Sequence, residues 1–123
     1  MHPARLQRIG NHEVARVLRE LPPEIQEVAN GCRVDCVLMA DCLAAGAGLE
    51  PDLLGLFEGC SRADPQAESA DQLPHISLFL DNLWDYAGAS VRTFREEVRL
   101  TLLHELGHYL GLDEAGVEQL GLA

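Results

Sequence analysis

Lysine is absent from the 123 residues, and all nine basic side chains are arginine. Schiff-base chemistry and phosphate-loop binding are thereby excluded, because both need an amine on a flexible stem. Serine is nearly as scarce. The four serines, Ser61, Ser69, Ser77 and Ser90, include none in a G-x-S-x-G turn, so the exposed nucleophile of a serine-hydrolase elbow is missing. No apolar run approaches the roughly 20 residues of a membrane span. No apolar stretch follows Arg5 and Arg8 to make a secretory signal, and a cytoplasmic location is expected.

Positive charge is also in short supply: twenty carboxylates leave a formal net charge of -11, which repels nucleic-acid phosphate on average and argues against a nucleic-acid partner. Arg92, Arg95 and Arg99 form a local cluster that reads as a solvated helix face. Cys32, Cys36, Cys42 and Cys60 make no paired C-x-x-C spacing, so reduced and mostly buried thiols are expected rather than zinc knuckles or disulfides.

What is present has the balance of a soluble globular chain, 47% hydrophobic and 24% charged, and its length suits one domain over residues 1–123. Val14, Val17, Leu18 and Leu21 recur at helical spacing over residues 11–21, Pro22 and Pro23 stop that helix, and Pro23 can open a short second one through Ala29. Arg33–Met39 reads as a strand entering a buried sheet. Ala40–Asp52 is a connection of no evident conformation, and Leu54–Glu58 is a second strand candidate flanked by glycines. Ser61–Leu73 is a polar surface loop. Pro74–Leu80 alternates as a third strand, and Asn82–Ala87 suits a helical turn.

The last long element carries the chemistry. Thr93 and Glu96 have the spacing of a capping box, and the helix they predict runs to Leu110, with Gly111 as its stop. Phe94, Val98, Leu102, Leu106 and Leu110 fall at intervals of four, with Leu100 and Leu103 as a second apolar flank, so the helix should be deeply packed. Within it stands His104-Glu105-Leu106-Gly107-His108, an H-E-x-x-H pattern. Two histidines four apart share a helical face and can reach one zinc ion, which would lower the pKa of a water ligand toward about 7. Glu105 lies about 100° around the helix from His104, where it flanks a metal as a general base instead of binding it. The competing reading is a polar cluster satisfied by protein groups, but burying two histidines and a carboxylate without compensation is costly. Gly107 costs about 1 kcal/mol against alanine in mid-helix, so close packing of a strand or approach of a substrate should offset it.

A third ligand is needed, and because no histidine follows His108 the downstream candidates are Asp113, Glu114 and Glu118. Counting the H-E-x-x-H-x-x-G-x-x-H pattern from His104 puts its last position at Glu114, with Asp113 the alternative; whichever is not a ligand suits the first turn of a final short helix through Leu120. Met1 and Met39 are the only methionines, so the methionine turn of metzincins proper is absent.

These residues resemble the minimal zincin-like family of bacterial proteins, formerly a domain of unknown function. The resemblance covers about Leu21–Leu122. It runs through Leu21-Pro22-Pro23-Glu24, Gly55-Leu56-Phe57-Glu58-Gly59, Pro74-His75-Ile76 and Arg95-Glu96-Glu97-Val98 into the stretch His104–Glu114. It implies an α+β fold with a small mixed sheet of three or four strands on a long active-site helix, a zinc cofactor, and metallopeptidase activity on a peptide or protein. The family's acidic third ligand maps onto the Asp113-Glu114 pair. An extended substrate would pair with an exposed sheet edge, for which Pro74–Leu80 is the candidate, while His75, Tyr86 and Tyr109 are candidate oxyanion donors. Two other functions stand beside this one. A non-catalytic zinc-binding interaction module needs only the ligands. A metal-dependent endoribonuclease is disfavoured by acidic charge and by Glu105 directly after the first histidine.

Overall fold

A computed structural model describes residues 1–59 and 73–119, and for Glu114 the backbone alone. Helix α1 spans Pro3–Glu20, starting well before residue 11. Pro3 has the preset φ of a first helical residue, and His2 Nδ1 caps the end by accepting from the Ala4 amide at 3.1 Å. Its buried stripe is Leu6, Ile9, Gly10, Glu13, Val14 and Val17, a helical spacing that is thin in apolar side chains over its first half. Buried Glu13 is held by the Arg16 guanidinium, whose Nε and NH2 groups donate to its two oxygens. Helix α2 spans Pro23–Ala29, as expected from the proline pair.

Strand β1 is Arg33–Val37, two residues shorter than its pattern suggests, because Met39 opens helix α3, Met39–Ala44. The cause lies far along the chain. The Asp81 carboxylate accepts from the Met39 and Ala40 amides at 2.8 and 3.0 Å, supplying a helix cap that no local residue provides. Strand β2 is Gly55–Glu58 and strand β3 is His75–Phe79. The sheet order is β1-β3-β2, with β1 parallel and β2 antiparallel to β3. Since β3 is bonded on both sides, it cannot offer the free edge expected of Pro74–Leu80; among the described residues β1 and β2 are the edges. Ile76, Leu78 and Phe79 are at most 1% exposed, the burial of a central strand covered on both faces.

Helix α4, Leu80–Tyr86, follows β3 directly and so starts two residues before Asn82. Gly88 and Ala89, both at positive φ, turn the chain into helix α5, Val91–Leu110. The cap of α5 is Ser90, whose Oγ accepts from the Thr93 amide at 3.3 Å. The Thr93-Glu96 capping box therefore does not form: Thr93 is already inside the helix, and Glu96 pairs with Arg99 at 2.7 Å. Helix α6, Glu114–Gln119, closes the described chain.

Helix α5 packs against β2, β3, α1, α4 and α6. Phe94, Val98, Leu102 and Leu106 sit in the same apolar cluster as Leu6 and Val17 of α1 and Ile76 and Leu78 of β3. Leu100 departs from the expected flank: it is 40% exposed and faces outward. Among the described residues no helix is long and apolar enough to cross a membrane. This mixed sheet of three strands packed with one long helix is an α+β architecture.

Candidate metal centre

His104 and His108 project from α5 one turn apart, their ring planes at 88° and their centroids 4.9 Å apart. The two Nε2 atoms are 3.3 Å from each other. Two nitrogens each about 2.0–2.1 Å from a single tetrahedral ion would be separated by roughly 3.3–3.4 Å, so the pair has the spacing of zinc ligands. The same distance is long for a direct hydrogen bond between rings.

Glu105 is only 8% exposed, and its buried Oε2, 4.0 Å from His108 Nε2, has no hydrogen-bond partner among the described residues. Burial pushes its carboxyl above the ordinary carboxylate range, and positive charge on His108 and His104 only partly opposes that shift. Donor atoms of His104, Glu105 and His108 all lie within 4.8 Å of one another. A buried carboxylate oxygen with no donor is costly unless a cation or a held water stands beside it. Two imidazoles are donors that zinc accepts, and the carboxylate beside them stands where a base for a metal-held water is needed, so the residues fit the ion.

The end of α5 swings the chain back past this centre. Gly111 takes φ 73°, the Gly111 amide donates to His108 O at 3.2 Å, and the Leu112 amide donates to Gly107 O at 2.8 Å. That is a Schellman ending, and it meets the expected helix stop. Asp113 then caps α6, its Oδ1 accepting from the Gly116 amide at 2.8 Å. The side chain of Glu114 lies outside what is described. Close packing explains Gly107, but the neighbour is a helix rather than a strand: a Cβ there would lie 2.6 Å from Val117 Cγ2 on α6.

A cleft of about 560 Å³ opens beside His104. Its walls are Leu53, Leu54 and Gly55 entering β2, and Leu100, Thr101 and Leu103 on α5. Val117 and Glu118 of α6, with His104 and Glu105, complete its described lining. Strand β2 runs so close to α5 that a Cβ on Gly55 would lie 2.6 Å from Thr101 Cγ2 and 3.3 Å from Glu105 Cγ. Asn82 anchors the approach, its Nδ2 donating to Pro51 O and Leu53 O, both at 2.8 Å.

None of the three oxyanion candidates lines this cleft. His75 meets Asp35 Oδ2 at 2.9 Å at the opposite end of β3 from Leu78, the partner of Gly55. Tyr86 is 66% exposed on α4, and Tyr109 is buried against Phe57. Sequence reasoning gave Leu100 and Leu103 a packing role and no wall residue a place beside the site, although a signal existed for Leu100. Leu100 is four residues before His104 and therefore on the face of the histidines. Leu53, Leu54 and Val117 reach the cleft only through tertiary folding. Arg92 and Arg95 are exposed on α5 and Arg99 is paired with Glu96, a solvated face as expected. Cys32 and Cys36 are free and buried, with burial pushing each thiol up to about 11; Cys60 lies outside the described residues.

Residues 33–122 match the model of one protein family, described as zincin-like metallopeptidase. No curated protein matches the chain.

Proposed function

The chain belongs to the zincin-like metallopeptidase family, and from that membership we propose that it is a zinc-dependent peptidase with the metal on His104, His108 and Glu114 and with Glu105 as general base. The observation that carries the reading is the orphaned, buried Oε2 of Glu105 beside two imidazole nitrogens 3.3 Å apart. Zinc, when bound, supplies a Lewis acid for the scissile carbonyl. Glu105 Oε2 takes a proton from the attacking water and delivers it to the departing amine. Its raised carboxyl suits that exchange, because desolvation makes it a stronger proton acceptor than a solvated carboxylate.

Glu114 is preferred over Asp113 as the acidic ligand because Asp113 already caps α6. The substrate is an extended peptide added along the edge strand β2, whose entry segment Leu53–Gly55 borders the cleft. We read residues 1–123 as one domain, a reading supported by the core that joins α1, which precedes the matched region, to α5.

Metal analysis of protein purified without chelator tests the assignment, together with His104→Ala and Glu105→Gln. Zinc is expected in the parent and in Glu105→Gln, and not in His104→Ala. Glu105→Gln should lose about 10²–10⁴ in peptide hydrolysis, while its metal-free form gains stability because a neutral amide replaces a buried carboxylate. Equal zinc in the parent and His104→Ala, or full activity in Glu105→Gln, overturns the reading.

A further inference from the structure

We propose that the cleft beside the metal centre is a recognition pocket for an apolar substrate side chain next to the scissile bond, with Leu100 as a specificity-determining residue. This rests on the peptidase reading and adds the chemical class of the residue bound. Helix α5 otherwise buries its large apolar side chains wholly or in part, and Leu100, at 40% exposure, is the one that stands exposed. Its neighbours on the outer surface of the helix, Arg92, Arg95 and Glu96, are charged and solvated, as such a surface requires. The exposed leucine is not a stray: it lies one turn before His104 and meets Leu53, Leu54, Leu103 and Val117 around one concavity. An apolar wall that runs continuously into a catalytic centre is covered when a substrate side chain enters it.

Size and charge narrow the occupant. About 560 Å³ exceeds one leucine side chain and leaves room for a leucine or phenylalanine together with flanking main chain. Among the described residues, the charged groups lining the cleft besides His104 are Glu105 and Glu118, both acidic, so an aspartate or glutamate side chain meets like charge as well as apolar walls. The preferred residue is therefore large and apolar, and acidic residues are rejected.

The test is binding of four acyl-dipeptide hydroxamates to the zinc-loaded full chain by calorimetry, the residue bearing the hydroxamate being glycine, leucine, phenylalanine or aspartate. The leucine and phenylalanine members should bind about 10- to 100-fold tighter than glycine, from burial of one side chain, with aspartate the weakest. In Leu100→Asp the leucine-to-glycine ratio should fall toward one, and in Leu100→Met it should largely return. Zinc-dependent binding of equal strength across the series overturns the pocket and leaves the metal centre standing. Failure of every member to bind zinc-loaded protein overturns the peptidase reading and the pocket with it. A dimer dispersed by Leu100→Asp, combined with equal affinities, assigns the cleft instead to contact between two copies of the chain.

Discussion

Gly107→Ala sets two opposing effects of known size against each other. An alanine in mid-helix is worth about 1 kcal/mol over glycine, so the substitution stabilises α5 if nothing stands in the way. The added Cβ would lie 2.6 Å from Val117 Cγ2, roughly 1 Å inside the 3.5–4.0 Å optimum for carbon contacts. Relieving that overlap moves α6 outward, at the 1–3 kcal/mol that overpacking typically costs. The expected net result is a loss of about 0–2 kcal/mol in urea unfolding of the metal-free protein. Val117→Ala alone should cost about 1.6 kcal/mol for two buried methyls, since Val117 is 9% exposed. In the double variant the clash disappears and the helix gain remains, so the two changes should couple favourably by about 1–3 kcal/mol. Zinc affinity should follow the same order, because α6 begins at Glu114. If Gly107→Ala stabilises by the full propensity gain and the two changes add within about 0.5 kcal/mol, α6 does not press on Gly107 and the packing argument fails.

The acidic pair separates by readout. Asp113→Ala should lower stability by about 1 kcal/mol through loss of the α6 cap with a small effect on zinc, whereas Glu114→Ala should keep stability and weaken zinc by more than about 100-fold in chelator competition; the reverse pattern makes Asp113 the ligand. Cys32 and Cys36, each raised to about 11 from 9.0, stay protonated in the folded protein at pH 8 and should resist alkylation until it unfolds. With the folded value above the unfolded one, their stabilising contribution is intact below about pH 9 and is lost as pH rises through 11, so unfolding should become easier over that window. Rapid alkylation of both in native protein would contradict their burial.

The sequence held the features whose signals are local. The Pro22-Pro23 break, the positive φ of Gly111 and the four-residue spacing of His104 and His108 each act within one turn of chain, and each appears where its chemistry places it. Misplaced features are those set at a distance. Helix α3 depends on an Asp81 carboxylate about forty residues away, so no pattern in Met39–Ala44 reveals it. Pro74–Leu80 alternates like an edge strand with one polar face, but Ser77 is 8% exposed in the central strand, and only the pairing order distinguishes the two cases. At the start of α5 two capping signals compete. Thr93-x-x-Glu96 is the richer pattern, yet Ser90 prevails, because the positive-φ turn at Gly88 and Ala89 delivers the chain into helix one turn earlier.

The position of Glu105 follows from how α5 divides its circumference. The core series Phe94, Val98, Leu102 and Leu106 and the outer series Leu100, His104 and His108 are offset by two residues, or about 200° at 3.6 residues per turn, so they occupy opposite sides of one helix. A residue directly after His104 is rotated about 100° and falls on the seam, buried by β2 yet beside the imidazoles. Gly55 lets β2 come close enough to make that burial nearly complete, since a side chain there would strike Thr101 and crowd Glu105. The seam thus withholds water from Glu105 Oε2 without giving that oxygen a donor among the described residues. On stability alone, a leucine at position 105 would extend the core at no electrostatic cost, and an exposed leucine at position 100 would be polar. Both departures point into the same cleft, and a cation with an apolar ligand accounts for the two together.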